Sequence, residues 1–206
     1  MNVYDFDGTI YDGDSSVDFF LFCAKRKPII FLLVPRIMAA FALRLVRKAD
    51  TKTVKSAFFR FVRLIPNIDA FVSEFWKTHS KKIMGWYLAQ RKNDDVVISA
   101  SPEFLLEKIG GTLSVRIIAS RVCKKSGVLI GNNCKGKEKV RRFSEEFGAD
   151  CTIENFYSDS KSDFPLASIA QNAWLCKRGK MKAWDDKKRE NGSQSFFKFI
   201  KSKNIS

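Results

Sequence analysis

The sequence predicts an α/β fold: an open parallel sheet with helices on both faces, opened after its first strand by an all-helical insertion. Three observations predict it. A short strand at the N-terminus, residues 2–6, runs straight into Asp-Gly; beyond residue 95, β-branched runs alternate with helical stretches; and residues 15–91 between them hold helical periodicity with no good strand. The core is therefore expected to span residues 1–14 and 92–206, and the helical insertion residues 15–91.

The first strand ends at Asp7-Gly8, a turn signal. Within the insertion, residues 15–25 place Val17, Phe19, Phe20, Phe22 and Cys23 on a helix, and residues 29–47 are apolar and basic. Residues 51–64 carry V-x-x-A-F-F-x-F-V-x-L, which fits a helical face, and 68–79 and 82–91 are further amphipathic helices. Residues 95–99 (DVVIS) then read as a buried parallel strand, and 102–109 as a helix ended by Gly110 and Gly111. Residues 115–119 (VRIIA) are a strand, and 120–133 short strands or a hairpin around Ser126-Gly127. Residues 136–147 form a helix on Val140, Phe143 and Phe147. Residues 151–158 contain a strand, 164–170 open a helix, and 173–176 (AWLC) are a last short strand. From Asp185 the tail is polar and basic, turning apolar at 196–200.

A chain of 206 residues with 45% hydrophobic composition has material for a sizeable core, and its 19 Phe exclude a disordered polymer. Five scattered cysteines without a C-x-x-C pair argue against a disulfide framework or a zinc site and point to a reducing cytoplasm. The lone histidine, His79, reads as a surface residue. A net charge of +15 attracts anions, whether phosphate substrates, nucleic acid or an anionic bilayer, and does not choose among them. The first ten residues have neither the basic start nor the apolar run of a secretion signal. The longest apolar stretch, 29–46, is interrupted by Pro35, Arg36 and Arg44, so no spanning helix is expected there.

Chemistry-bearing residues fall at strand ends, where open α/β sheets build their sites. The strongest signal is D-F-D-G-T, Asp5 to Thr9, directly after the first strand. Asp5 is placed to attack phosphorus, and Asp7 to protonate a leaving oxygen and then activate water. Gly8 permits the tight turn, and Thr9 offers a hydroxyl beyond it that is expected to contact the substrate. A second acidic cluster, S-D-S-K-S-D, ends a later strand; Asp159 and Asp163 suit a hard cation, with Asp5 and the Asp7 carbonyl as further ligands. Ser99 ends DVVIS and offers a hydroxyl to a phosphate oxygen, assisted by the Ala100 and Ser101 amides; alternatively Ser99 or Ser101 caps the next helix, the expected role of Ser101. One fixed cation is needed against this negative charge, and Lys135, Lys137 and Lys139 are candidates.

These four elements, in this order, resemble the haloacid dehalogenase-like hydrolase superfamily across nearly the whole chain. The insertion after the first motif, with I-S-A-S-P-E-F and Y-S-D-S-x-x-D-x-P-L, resembles its phosphoserine-phosphatase-like branch, which includes bacterial phosphatidylglycerophosphatases. The resemblance implies a Rossmann-like core with a helical cap and a phosphatase acting through a phospho-aspartate. It implies Asp5 as nucleophile, Asp7 as general acid and base, and Mg²⁺ bound by Asp5, the Asp7 carbonyl and Asp159, with Asp163 supporting. Ser99 would hold the phosphate. The family lysine maps to Lys139 through G-x-x-K from Gly136, with Lys135 as fallback. Asp14 falls where phosphoserine phosphatases carry a substrate-facing glutamate, and being shorter it does not carry over the same substrate. Ser158 replaces the family's glycine before the motif aspartate.

The cap would choose the substrate, and two classes stay open: a small phosphorylated metabolite or a lipid phosphate. The second implies peripheral contact between residues 29–46, flanked by basic residues, and an anionic membrane. The expectation for that segment is packing against the other cap helices. The alternative to an enzyme is a basic nucleic-acid- or membrane-binding protein with a vestigial site; no nucleic-acid motif accompanies the charge, so that partner is not expected.

Overall fold

The structure, a computed structural model, describes residues 1–184 apart from 149 and 178. The basic tail and its apolar end at 196–200, and with them the expected end of the core, lie outside the described residues.

Six strands form one sheet: β1 (Asn2–Tyr4), β2 (Val96–Pro102), β3 (Arg116–Ser120), β4 (Ile153–Ser158), β5 (Ala170–Lys177) and β6 (Lys180–Ala183). Their order is β3-β2-β1-β4-β5-β6, parallel throughout except for the antiparallel β5–β6 pair at one edge. The order reverses at β1, which pairs with β2 through Val3 and Val96 and with β4 through Val3 and Phe156. Such a reversal opens a crevice beyond the strand ends. Asp5 follows β1 at that point, and its amide donates to the Tyr157 carbonyl of β4 at 2.8 Å.

Side chains alternate between the faces of the sheet. Val3, Val96 and Ile98 pack with α7 (Lys137–Phe147) and α8 (Phe164–Ala167), while Tyr4 and Val97 face α6 (Glu103–Leu113). That second face continues without a break into the insertion, where Phe19 and Phe22 of α1 (Ser15–Arg26) meet Phe75 of α4 (Ile68–His79). The Trp76 indole donates to the Leu105 carbonyl at 2.7 Å, tying α4 to α6. His79 is half-buried, stacked on Phe75 at 4.2 Å, rather than a plain surface residue.

Three further expectations change. Helix α6 runs through Gly110 and Gly111 and ends at Ser114, left-handed at φ 53°. The glycines sit inside because a Cβ at Gly110 would lie 2.4 Å from Ile117. Residues 120–133 form the expected small hairpin around Ser126-Gly127: an antiparallel Val122–Leu129 bridge flanked by bonds from the Cys123 amide to the Val128 carbonyl at 2.9 Å and from the Ile130 amide to the Arg121 carbonyl at 2.8 Å. A Cβ on Gly127 there would fall 2.1 Å from the Phe59 carbonyl, so the loop lies against the insertion. Strand β6 was not foreseen: KMKA is only four residues long, and all four side chains are exposed at the sheet edge, so no buried apolar run marks it.

The third change concerns the apolar segment. A short 3-10 stretch, Pro28–Leu33, leads into α2 (Val34–Leu45), followed by α3 (Thr51–Phe59); α5 (Gly85–Gln90) closes the insertion. The run Pro28–Leu45 has mean hydropathy 1.9 and is long and apolar enough to cross a membrane by length and composition, yet only 17% of it is buried. Ile30, Ile37 and Ala40 turn inward, whereas Leu32 is 77%, Met38 61% and Leu45 85% exposed. Burying a side chain of that size is worth roughly 1.5–3 kcal/mol. The cap helices do not supply that burial, against the packing expected of the segment.

Candidate active site

The three strands at the sheet's reversal deliver the expected residues to one crevice. A cavity of about 220 Å³ is lined by Asp5, Asp7, Asp14, Ser99, Ala100, Lys135, Lys139, Asp159, Ser160, Ser162 and Asp163. Asp5 lies past β1, Ser99 in β2, and Asp159 past β4, while Lys139 reaches in from the first turn of α7.

Of the three candidate lysines, Lys139 is the one whose ammonium the structure buries against the acidic residues. Its ammonium is almost wholly buried and donates to Asp5 Oδ1 at 2.7 Å and to Asp163 Oδ2 at 2.6 Å. Lys135 is exposed and only borders the cavity, and Lys137 is exposed. Burial alone would lower the Lys139 pKa, but the Asp5 and Asp163 carboxylates more than reverse that, so the group holds its proton above the ordinary lysine range. Asp163 also accepts from the Ser158 hydroxyl at 2.9 Å. Its described bonds make it the anchor of Lys139. Ser158, where the resemblance leads to a glycine, therefore has a hydrogen-bonding role.

Both described hydrogen bonds to the Asp5 carboxylate fall on Oδ1, from Lys139 and from the Phe6 amide at 2.9 Å. No described hydrogen bond falls on Oδ2, and Asp5 lines the cavity. Burial pushes Asp5 up, against the pull of the Lys139 charge. Asp7 is gripped at both oxygens: the Ser15 amide donates to Oδ1 at 2.7 Å and the Ser101 hydroxyl to Oδ2 at 2.5 Å. Burial first, and Asp14 second, push Asp7 up to about 6. A carboxyl in that range serves as acid and base near neutral pH.

Thr9 lies elsewhere than expected. It is fully buried, and its hydroxyl accepts the Asp159 amide at 2.9 Å, joining the two acidic loops instead of lining the cavity. Asp14 does line it while capping α1, accepting from the Ser16 and Val17 amides at 2.9 and 3.0 Å. Ser99 is buried and accepts the Ser101 amide at 3.0 Å. Ser101 does not cap α6: Pro102 stands at that position without a side-chain bond.

The donor set fits a hard divalent cation. Among the described residues no three Asp, Glu, His or Cys side chains gather as a metal cluster, so side chains alone do not make a site. Magnesium is ordinarily held by one or two carboxylates with water and other oxygens, and Asp5, Asp159 and the main-chain carbonyl of Asp7 supply that chemistry. Gly8 brings the two acidic loops together: a Cβ there would stand 2.2 Å from Asp159 Oδ2. Burial, and then Asp163, hold Asp159 above the usual carboxylate range.

A second cavity, about 740 Å³, adjoins Asp7, Asp14, Ala100 and Lys135, which line both. Its other walls include Val17, Phe41, Val54, Phe58, Arg44 and Lys55. The Lys55 ammonium donates to the Ala100 carbonyl and forms no ion pair among the described residues. Sequence reasoning missed Lys55, Ser15 and the Ser101–Asp7 bond.

The sequence profile of the haloacid dehalogenase-like hydrolases matches residues 3–168, which includes every strand that meets at the crevice. The chain belongs to this family. Protein CicA of Caulobacter vibrioides is 33% identical over 92 residues, 41% of this chain and 41% of that protein. The match thus spans well under half the length of that relative. Among solved structures, a Bordetella pertussis protein of unknown function superposes with a TM-score of 0.67 at 17% identity, over 84% of this chain and 87% of that one. A phosphoserine phosphohydrolase-like protein from Francisella tularensis gives 0.51 at 13% identity, over 84% and 86%. These likenesses establish the α/β fold of the family, and the chain is a hydrolase by family.

Proposed function

We propose that this hydrolase is a Mg²⁺-dependent phosphomonoester phosphatase acting through a phospho-aspartate on Asp5. The observation that carries the reading is the buried Asp5–Lys139–Asp163 arrangement beside a cavity that Asp5, Asp7 and Asp159 line together. In the first step Asp5 Oδ2 attacks phosphorus, the bond to the leaving oxygen breaks, and Asp7 gives that oxygen its proton. In the second, Asp7 takes a proton from water, the water oxygen attacks the phospho-aspartate, and inorganic phosphate leaves with Asp5 restored. Lys139 offsets the charge that gathers on the phosphoryl oxygens, and Ser99 and the loop amides hold them. Mg²⁺, when bound by Asp5, Asp159 and the Asp7 carbonyl, supplies further neutralisation of that charge. Because these carboxylates and the lysine are all present, a vestigial site in a nucleic-acid-binding protein is the weaker reading of the +15 charge.

The test is Asp5→Asn, which is isosteric. It is expected to keep the fold by circular dichroism and to lose at least a thousandfold in kcat on an aryl phosphate, the order at which a single essential nucleophile acts. Wild-type-like turnover by the variant would refute nucleophilic catalysis by Asp5.

The exposed apolar run favours a lipid phosphate over a soluble metabolite, and with it a cytoplasmic enzyme seated on an anionic bilayer. The run Pro28–Leu45 turns Leu32 of its 3-10 stretch and Met38 and Leu45 of α2 outward, near Lys25, Arg26, Lys27, Arg47 and Lys48 in sequence. The same helix contributes Phe41 and Arg44 to the larger cavity. A bilayer covering the helix would therefore lie near the route to Asp7. Arg36 and Arg44 within the run suit a helix lying in the headgroup layer. Co-sedimentation is expected with vesicles containing anionic lipid, weakened by salt, and Leu32→Glu with Leu45→Glu should abolish it. Absence of binding at low salt, with turnover of soluble phosphate esters only, would return the substrate to the metabolite class.

A further inference from the structure

We infer that Ser101 is a positioning residue that aims the Asp7 carboxyl at the leaving group, with Ser15 and Ser16 of the insertion completing the clamp. This rests on the phosphatase reading, within which no role has yet been given to the three serines.

All three are buried: Ser15 fully, Ser101 to within 4% and Ser16 to within 8%. A buried hydroxyl has to be matched by partners, and one hydroxyl has a single proton and two lone pairs. Around Ser101 Oγ stand Asp7 Oδ2 at 2.5 Å, Ser16 Oγ at 2.8 Å and Ser15 Oγ at 3.2 Å. The carboxylate can only accept, so it takes the Ser101 proton. Ser15 and Ser16 then both donate to Ser101. Every valence of the Ser101 hydroxyl is filled, and its direction is fixed.

The consequence falls on Asp7. Its Oδ2 is held from the end of β2 by Ser101, and its Oδ1 from the start of α1 by the Ser15 amide at 2.7 Å. A carboxylate gripped at both oxygens cannot turn freely about its own bond to the chain. The face that Asp7, Ser16 and Ser101 share is the wall of the larger cavity, where a leaving group would sit. The alternative, an ordinary helix cap, is removed by Pro102 at the start of α6. The position of the proton donor thus depends on contact between the first helix of the insertion and the end of β2.

The experiment compares Ser101→Ala with wild type on phenyl phosphate and on dinitrophenyl phosphate, under single turnover in Mg²⁺. The first leaving group needs a proton and the second scarcely does. The loss in the variant is expected to be about tenfold or more greater on phenyl phosphate, since misaimed acid catalysis is costly only where a proton must be given. Ser101→Thr should restore most of it. In an Asp7→Asn background Ser101→Ala should add nothing. Equal losses on both esters, or an added loss in the Asp7→Asn background, would overturn the assignment. Absence of turnover of either ester by the wild type would sink the phosphatase reading itself, a different outcome.

Discussion

At the scale of single residues, the acidic groups were legible because each follows a strand, and strand ends converge in this topology whatever lies between them. Asp5, Asp159 and Asp163 needed no knowledge of the tertiary fold beyond that. Gly8 shows what such a reading leaves out. It looks like a turn glycine, and its φ of 72° agrees, but its lack of a side chain also makes room for Asp159 Oδ2. Gly8→Ala should therefore cost about 1–2 kcal/mol of stability from the left-handed backbone. Because the obstructed atom is the end of a short side chain, Asp159 moves and the fold survives. The Mg²⁺ concentration giving half-maximal activity should rise by about ten- to a hundredfold, the usual range for disturbing a ligand's surroundings. A metal titration of activity beside a thermal melt checks both parts, and an unchanged midpoint would detach Gly8 from the metal site. The contacts of Ser101, Ser15 and Lys55 were not legible, since each joins segments far apart in sequence and a lone hydroxyl beside a helix start reads most simply as a cap.

At the scale of elements, helix periodicity placed most of the insertion, and the failures share a cause. Strand β6 and the exposed face of α2 are surfaces whose patterns say nothing of what covers them. The two glycines in α6 signal an end that packing against Ile117 overrides. Helix α7 carries the lysine that matters, and its first turn has its own support. Glu138 accepts from Arg141 Nη2 at 2.5 Å, Arg142 Nε at 3.1 Å and Asn132 Nδ2 at 3.3 Å. The bond from Arg141 comes first among the causes that hold Glu138 down at about 2. A carboxylate depressed in the folded state contributes its stability fully above its unfolded value, near 4.3, and loses it as the pH falls toward 2. Glu138→Gln should lower stability by roughly 1 kcal/mol at neutral pH, allowing for solvent screening, since it removes an anion from a helix N-terminus as well as the ion pairs. The difference from wild type should shrink below about pH 4 in urea melts. A constant difference from neutral to acid pH would show that charge is not the cause.

At the scale of the whole molecule, the fold class followed from the order of strands and helices, but the electrostatic design follows only from the assembled crevice. Asp5, Asp7 and Asp159 are brought together in a buried place, and burial raises all three. For Asp5 the metal-free value is about 7 and for Asp7 about 6. A carboxyl raised in the folded state favours folding while it stays protonated. Its contribution is whole below the unfolded value near 3.9 and is lost as pH rises through the folded values. The metal-free protein should therefore become less stable between about pH 4 and pH 7 on account of these groups. Lys139, held charged by Asp5 and Asp163, offsets only part of that burial penalty at Asp5. A divalent cation binding the ionised carboxylates reverses the effect. At a hundred times its dissociation constant it should add about 2.7 kcal/mol, or roughly 5–10 °C in melting temperature for a chain of this size. Protons compete for the same oxygens, so the gain from Mg²⁺ should be larger near pH 7.5 than near pH 5.5. Melts with Mg²⁺ and with a chelator at the two pH values measure this directly. A gain that is equal at both, or that persists in Asp159→Asn, would place the ion somewhere other than this crevice.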